Sequence, residues 1–69
     1  RRAYLYNAAE QGYADAQFLY GQELIKNADG QDDEDYQTGK EYIEKAARQD
    51  NKKAQTYLDK LNTTSSKRS

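Results

Sequence analysis

Apolar residues along this chain recur at spacings of three and four, the period of a helix with one buried face, and no stretch alternates as a strand would. Tyr4, Leu5, Ala8 and Ala9 share such a face, and Gly12 follows as a C-terminal stop. A second run sets Ala16, Tyr20 and Leu24 on one face, with Ala14, Gln17 and Gly21 beside them, and ends near Asn27. Residues Ala28 to Glu34 form the connection. A third run begins at an acidic cluster, where Asp33 or Asp35 caps free N–H groups and suits the positive end of the helix dipole. Its face reads Tyr36, Gly39, Tyr42, Ile43, Ala46 and Ala47. Glu41 with Lys45 and Glu44 with Arg48 add i,i+4 pairs worth a few tenths of a kcal/mol each. Lys52 to Leu61 is the last run, marked by Ala54, Tyr57, Leu58 and Leu61. The pattern predicts four short helices and an all-α fold. Residues 62–69 contain no apolar side chain and are expected to form a disordered polar tail.

Gly39 is the one local conflict, because glycine inside a helix costs about 1 kcal/mol against alanine. Close approach of another backbone is the usual reason to keep it. The chain also matches itself at an offset of 38 residues: Tyr4 falls on Tyr42, Ala8-Ala9 on Ala46-Ala47, Gln11 on Gln49 and Ala16-Gln17 on Ala54-Gln55. Each match occupies the same place in a helix–turn–helix unit. A period of about 34–47 residues built from paired helices marks an α-solenoid.

The run Ala8-Ala9-Glu10-Gln11-Gly12-Tyr13-Ala14-Asp15-Ala16-Gln17, followed by Tyr20-Gly21, resembles the hallmark of SEL-1-like repeats, relatives of tetratricopeptide repeats. Asp35-Tyr36, Tyr42 and Lys45-Ala46-Ala47 are similar to the family's second helix. Tyr20 stands where the family has Leu, Gly39 where it has Ala, and the second hallmark decays through Arg48 to Asn51. The resemblance implies an α/α solenoid of antiparallel helix pairs over residues 1–61. Residues 1–12 would be the second helix of a preceding repeat, 14–50 a full repeat and 52–61 a terminal helix. About one and a half repeats is fewer than the roughly three such arrays need, so further repeats before Arg1, or a partner, are expected to complete it.

The resemblance also implies a protein-binding adaptor or scaffold. In related solenoids the first helix of each pair lines a groove that receives a protein or peptide partner. On this chain the groove residues would be Asp15, Phe18, Gln22, Ile25 and Lys26, then Lys53, Thr56 and Lys60 on the terminal helix. Phe18 and Ile25 are expected as an exposed apolar pair, since the packing faces do not need them. The alternative is a structural cap of a longer array that supports a neighbouring domain or self-association.

Composition narrows the chemistry. With no His and no Cys the chain lacks an imidazole base, a thiol nucleophile, a disulfide framework and the commonest transition-metal ligands, so no enzyme activity and no cofactor are expected. Leu, Ile, Val and Phe are scarce, while Ala and Tyr are abundant, which suits a core of closely spaced helices. No apolar span is long enough for membrane insertion, and a pI near 5.3 disfavours nucleic acid. The compartment stays open. Residues 1–39 carry a net charge of −5 and residues 40–69 a net of +4. The acidic segment Asp29 to Asp35 lacks the ligand spacing of a calcium loop and reads as a solvated loop with a helix cap. Lys52, Lys53, Lys60, Lys67 and Arg68 read as a solvated basic face. Asn62-Thr63-Thr64 is a formal glycosylation acceptor, relevant only in a eukaryotic secretory setting. Tyr4, Tyr20, Tyr36, Tyr42 and Tyr57 fall on packing faces by spacing; Tyr6 and Tyr13 are less constrained.

Overall fold

Four helices follow one another: α1 (Arg2–Glu10), α2 (Ala14–Asn27), α3 (Glu34–Arg48) and α4 (Lys52–Ser66). This computed structural model describes the backbone of residues 2–66 and the side chains of residues 3–62. Among the described residues there is no strand. Packing runs between neighbours in sequence, α1 on α2, α2 on α3 and α3 on α4, with the α2–α3 contact the most extensive.

The helix ends follow from particular side chains. Asp33 caps α3: one carboxylate oxygen accepts from the Asp35 N–H at 2.8 Å, the other from the Asp29 N–H at 3.0 Å. These two backbone donors hold the Asp33 carboxyl below its ordinary value. Glu34 and Asp35 fill the first turn of α3, and Lys45 and Arg48 the last, so charge complements the dipole at both ends. Asn51 caps α4 by accepting from the Ala54 N–H at 2.9 Å. That helix continues to Ser66, so positions 62–66 are helical where the sequence places a tail. No glycine or proline follows Leu61 to stop the helix. The rest of the expected tail, 67–69, lies outside the described residues.

The offset of 38 residues is reproduced in the backbone. After α1 the Tyr13 N–H donates to Ala8 O at 3.3 Å and the Gly12 N–H to Ala9 O at 3.0 Å. After α3 the Asn51 N–H donates to Ala46 O at 3.2 Å and the Asp50 N–H to Ala47 O at 3.0 Å. Both are Schellman caps, which require a left-handed residue. Gly12 supplies it at φ 94°, and Asp50 at φ 68°, a conformation that costs a residue with a Cβ. The next helix repeats the match: Gln17 Nε2 donates to Ala9 O at 3.3 Å and Gln55 Nε2 to Ala47 O at 3.0 Å. Gln49 ties the two joints together, its Nε2 donating to Gly12 O and Gln17 Oε1, each at 3.0 Å. Gln17 is thus a buried polar side chain whose donor and acceptor atoms are both engaged.

The core is built from small residues. Ala9, Ala16, Leu24, Ile43, Ala46 and Ala54 are buried, and Phe18, Ile25, Ala47, Tyr57 and Leu58 pack around the Ile43–Ala46–Ala54 cluster. Gly21 and Gly39 face one another across α2 and α3. A Cβ on Gly21 would lie 2.5 Å from Gly39 O, and one on Gly39 would lie 2.6 Å from Gly21 O. The conflict at Gly39 is therefore resolved by backbone approach.

Tyrosines bind the first three helices together. The Tyr20 ring meets Tyr6 edge-on at 5.5 Å and Tyr42 edge-on at 5.1 Å, and the Lys45 ammonium lies 5.1 Å from the Tyr42 centroid. Tyr42 Oη donates to Glu10 Oε2 at 2.6 Å, joining α3 to α1. That hydrogen bond, then burial, then the Glu10 charge push the phenol well above its ordinary value of 10.0. A raised folded-state pKa favours the neutral phenol. Its contribution is full below pH 10 and is lost as pH rises beyond it. Tyr42→Phe is expected to cost about 0.5–1 kcal/mol at neutral pH, the modest figure suiting a solvent-exposed bond. The variant should also lose stability less steeply above pH 10 in urea titrations. An alkaline limb identical to the parent's would refute the assignment.

Candidate functional site

The expected groove residues do not form one surface. On α4, Lys53, Thr56 and Lys60 are exposed and, with Lys52 and Tyr57, line an open depression of about 290 Å³. Three ammonium groups surround an aromatic floor there. Tyr57 is half-buried, and burial, followed by the neighbouring Tyr36, pushes its phenol up, so the floor is uncharged. Its ring is held edge-on by Phe18 of α2 at 5.9 Å and 82°.

The α2 residues are distributed differently. Phe18 and Ile25 are half-buried and pack against the Ile43–Ala46–Ala54 cluster, which corrects their expected place as an exposed pair. The reason is that α2 is covered on two sides: α3 takes the Gly21–Leu24 side, and α4 reaches Phe18 through Tyr57. Asp15 is exposed and accepts from Asn51 Nδ2 at 2.8 Å. It also borders a depression on the opposite, α1 side of α2. Gln22 is partly buried and Lys26 is exposed.

That second depression, again about 290 Å³, is lined by Tyr4, Leu5, Ala8, Tyr13, Ala16 and Leu19 together with Asp15. Tyr4 is 73% exposed, Tyr13 60% and Leu19 44%. Spacing places Tyr4 on a packing face, but in the structure it is the most exposed of these large side chains. Leu19 went unnoticed in the sequence because it follows Phe18 directly, and periodicity alone does not say which of the two neighbouring helices covers which side of α2.

The acidic segment is organised as a cap, with Asp33 engaged by backbone donors. Among the described residues no group of three or more acidic side chains is placed to hold a metal ion, and no helix is long and apolar enough to cross a membrane. Asn62 of the glycosylation triplet lies within α4. Comparison of the chain with family models, curated proteins and solved structures returns no match.

Proposed function

We propose that this chain is a segment of an α/α solenoid of the SEL-1-like type, acting without chemistry of its own as an adaptor or scaffold for a protein or peptide partner. The solenoid reading draws on the two like joints, in which cap hydrogen bonds and glutamine anchors recur 38 residues apart. The single observation that carries the binding reading is the α4 depression. Three of the expected groove residues, Lys53, Thr56 and Lys60, border one concavity with an apolar floor and a cationic rim. Such a surface suits an extended or helical segment with acidic groups around an apolar anchor. The absence of His and Cys from the sequence supports a non-enzymatic role.

Lys53→Glu with Lys60→Glu is expected to weaken capture of the physiological partner by at least about tenfold, roughly 1.4 kcal/mol. Helicity by circular dichroism should be unchanged, because both side chains are exposed. Quantitative affinity capture of parent and variant checks this. Retention of the same partner by the doubly reversed chain would sink the α4 site. The alternative, a structural cap that supports a neighbouring element, is favoured by the exposed apolar face on α1 and α2.

A further inference from the structure

Asp29 and Gly30 form the one aspartyl–glycyl bond in the sequence, and both residues are exposed in the connection between α2 and α3. Among the described residues the Asp29 carboxylate accepts no hydrogen bond and the Gly30 N–H donates none. A Cβ placed on Gly30 would meet nothing within 4 Å, so the backbone nitrogen is open to approach. The contacts that order this loop use other atoms. The Asp29 N–H donates to Asp33 Oδ2 at 3.0 Å, and the Asp33 N–H to Gly30 O at 3.1 Å. No other Asp or Asn among the described residues has a free side chain followed by a free N–H outside a helix. Two backbone donors hold the Asp33 carboxylate, and Asp15 and Asn51 hold one another. The N–H groups that follow Asn27, Asp32, Asp35 and Asp50 donate to Ile25 O, Gly30 O, Asp33 O and Ala46 O. Asn7, Asp59 and Asn62 lie inside helices, where the next N–H belongs to the helical ladder.

We propose that the Asp29–Gly30 bond is a self-modification site, where the chain converts aspartate to isoaspartate through a cyclic imide. The Gly30 nitrogen attacks Cγ of the protonated Asp29 side chain. An N–Cγ bond forms, and the acid hydroxyl leaves as water with the amide proton. Water then adds back to the ring. Cleavage of the new N–Cγ bond restores aspartate. Cleavage of the original bond between the Asp29 carbonyl carbon and the Gly30 nitrogen leaves the chain running through Cβ and Cγ, with the α-carboxyl free. The water lost is regained, so composition is unchanged and nothing is oxidised or reduced. Glycine suits the step because it has no Cβ to crowd the ring. The product has one more main-chain carbon inside the loop that the Asp29 N–H closes on Asp33, so that hydrogen bond must shift or break. The cap of α3 keeps its other donor, the Asp35 N–H at 2.8 Å. The close approach of Gly21 and Gly39 lies within the helices and is untouched. The change is thus confined to the α2–α3 connection. The site depends neither on the α4 depression nor on the family resemblance.

The test is to age the folded 69-residue chain for weeks in mildly acidic heavy-oxygen water, then digest it in ordinary water. Cleavage after Lys26 and Lys40 releases residues 27–40, which hold Asn27, Asp29, Asp32, Asp33 and Asp35 together. Each passage through the imide leaves one heavy oxygen, and electron-transfer fragmentation shows which residue carries it and whether the linkage is iso. Label and isoaspartate should accumulate at Asp29 at least about tenfold faster than at any other Asp or Asn. Gly30→Ala should slow this by about tenfold. Its Cβ meets nothing within 4 Å, so circular dichroism should stay that of the parent. Asp29→Glu should remove the label from this position, because glutamate would need a larger ring. No label at Asp29, or label arriving first at Asn27, Asp32 or Asp33, overturns the proposal. So does a rate at Asp29 that Gly30→Ala leaves unchanged.

Discussion

Alanine at Gly21 or at Gly39 is expected to remove most of this chain's stability, although alanine is the better helix former by about 1 kcal/mol. The added Cβ on Gly21 meets Gly39 O at 2.5 Å and Ile43 Cγ1 at 2.6 Å; on Gly39 it meets Gly21 O at 2.6 Å and the Leu24 and Ile25 side chains at 3.0 Å. A carbonyl on a helix backbone cannot swing aside as a side-chain end can, so α2 and α3 must separate along their whole contact. Overpacking of this kind costs about 1–3 kcal/mol or more, and a net loss of about 2–3 kcal/mol is expected after the propensity gain. A single small core supplies about 3–5 kcal/mol in total, so either variant should be largely unfolded in mild urea. The double variant should lose less than the sum, because helices already parted admit the second methyl cheaply. Urea titration followed at 222 nm is the measurement. A variant stabilised by its alanine would show that the two backbones do not meet.

Ile43→Ala is the second large effect expected. Ile43 is the one large side chain wholly enclosed among the described residues, and the cluster around it is otherwise alanine at its centre. Alanine neighbours have no rotamers with which to fill a void, so the site collapses poorly. A loss of about 3–4 kcal/mol is expected, with Ile43→Val costing about 1 kcal/mol. The same titration tests both. A loss below about 1 kcal/mol for Ile43→Ala would mean that the core lies elsewhere.

Much of the architecture was legible because small residues leave a clear trace. Gly12 marks the end of α1, Asp33 the start of α3, and Gly39 makes sense only against another backbone. The offset of 38 was visible in six identities, and it reappears as matching caps. The candidate sites were harder to read. Helix α2 has apolar residues on nearly every side, and periodicity does not reveal that α4 reaches Phe18 while Leu19 and Tyr4 stay open. The extent of α4 was misjudged because Thr63, Thr64 and Ser65 offer no apolar stripe, although nothing among them breaks a helix. The left-handed Asp50 was also hidden, since only its alignment with Gly12 hints at it.

The joints have a chemical consequence of their own. Gln49 sets the two helix pairs against each other through neutral amides, donating to Gly12 O and Gln17 Oε1, whereas Tyr42 with Glu10 and Asn51 with Asp15 link the same pairs through carboxylates. The exposed lysines of the α4 depression and Asp15 on the other face carry charges that salt screens. Salt therefore reaches the two exposed carboxylate links between the helix pairs and leaves the part-buried Gln17–Gln49 amide link as it is.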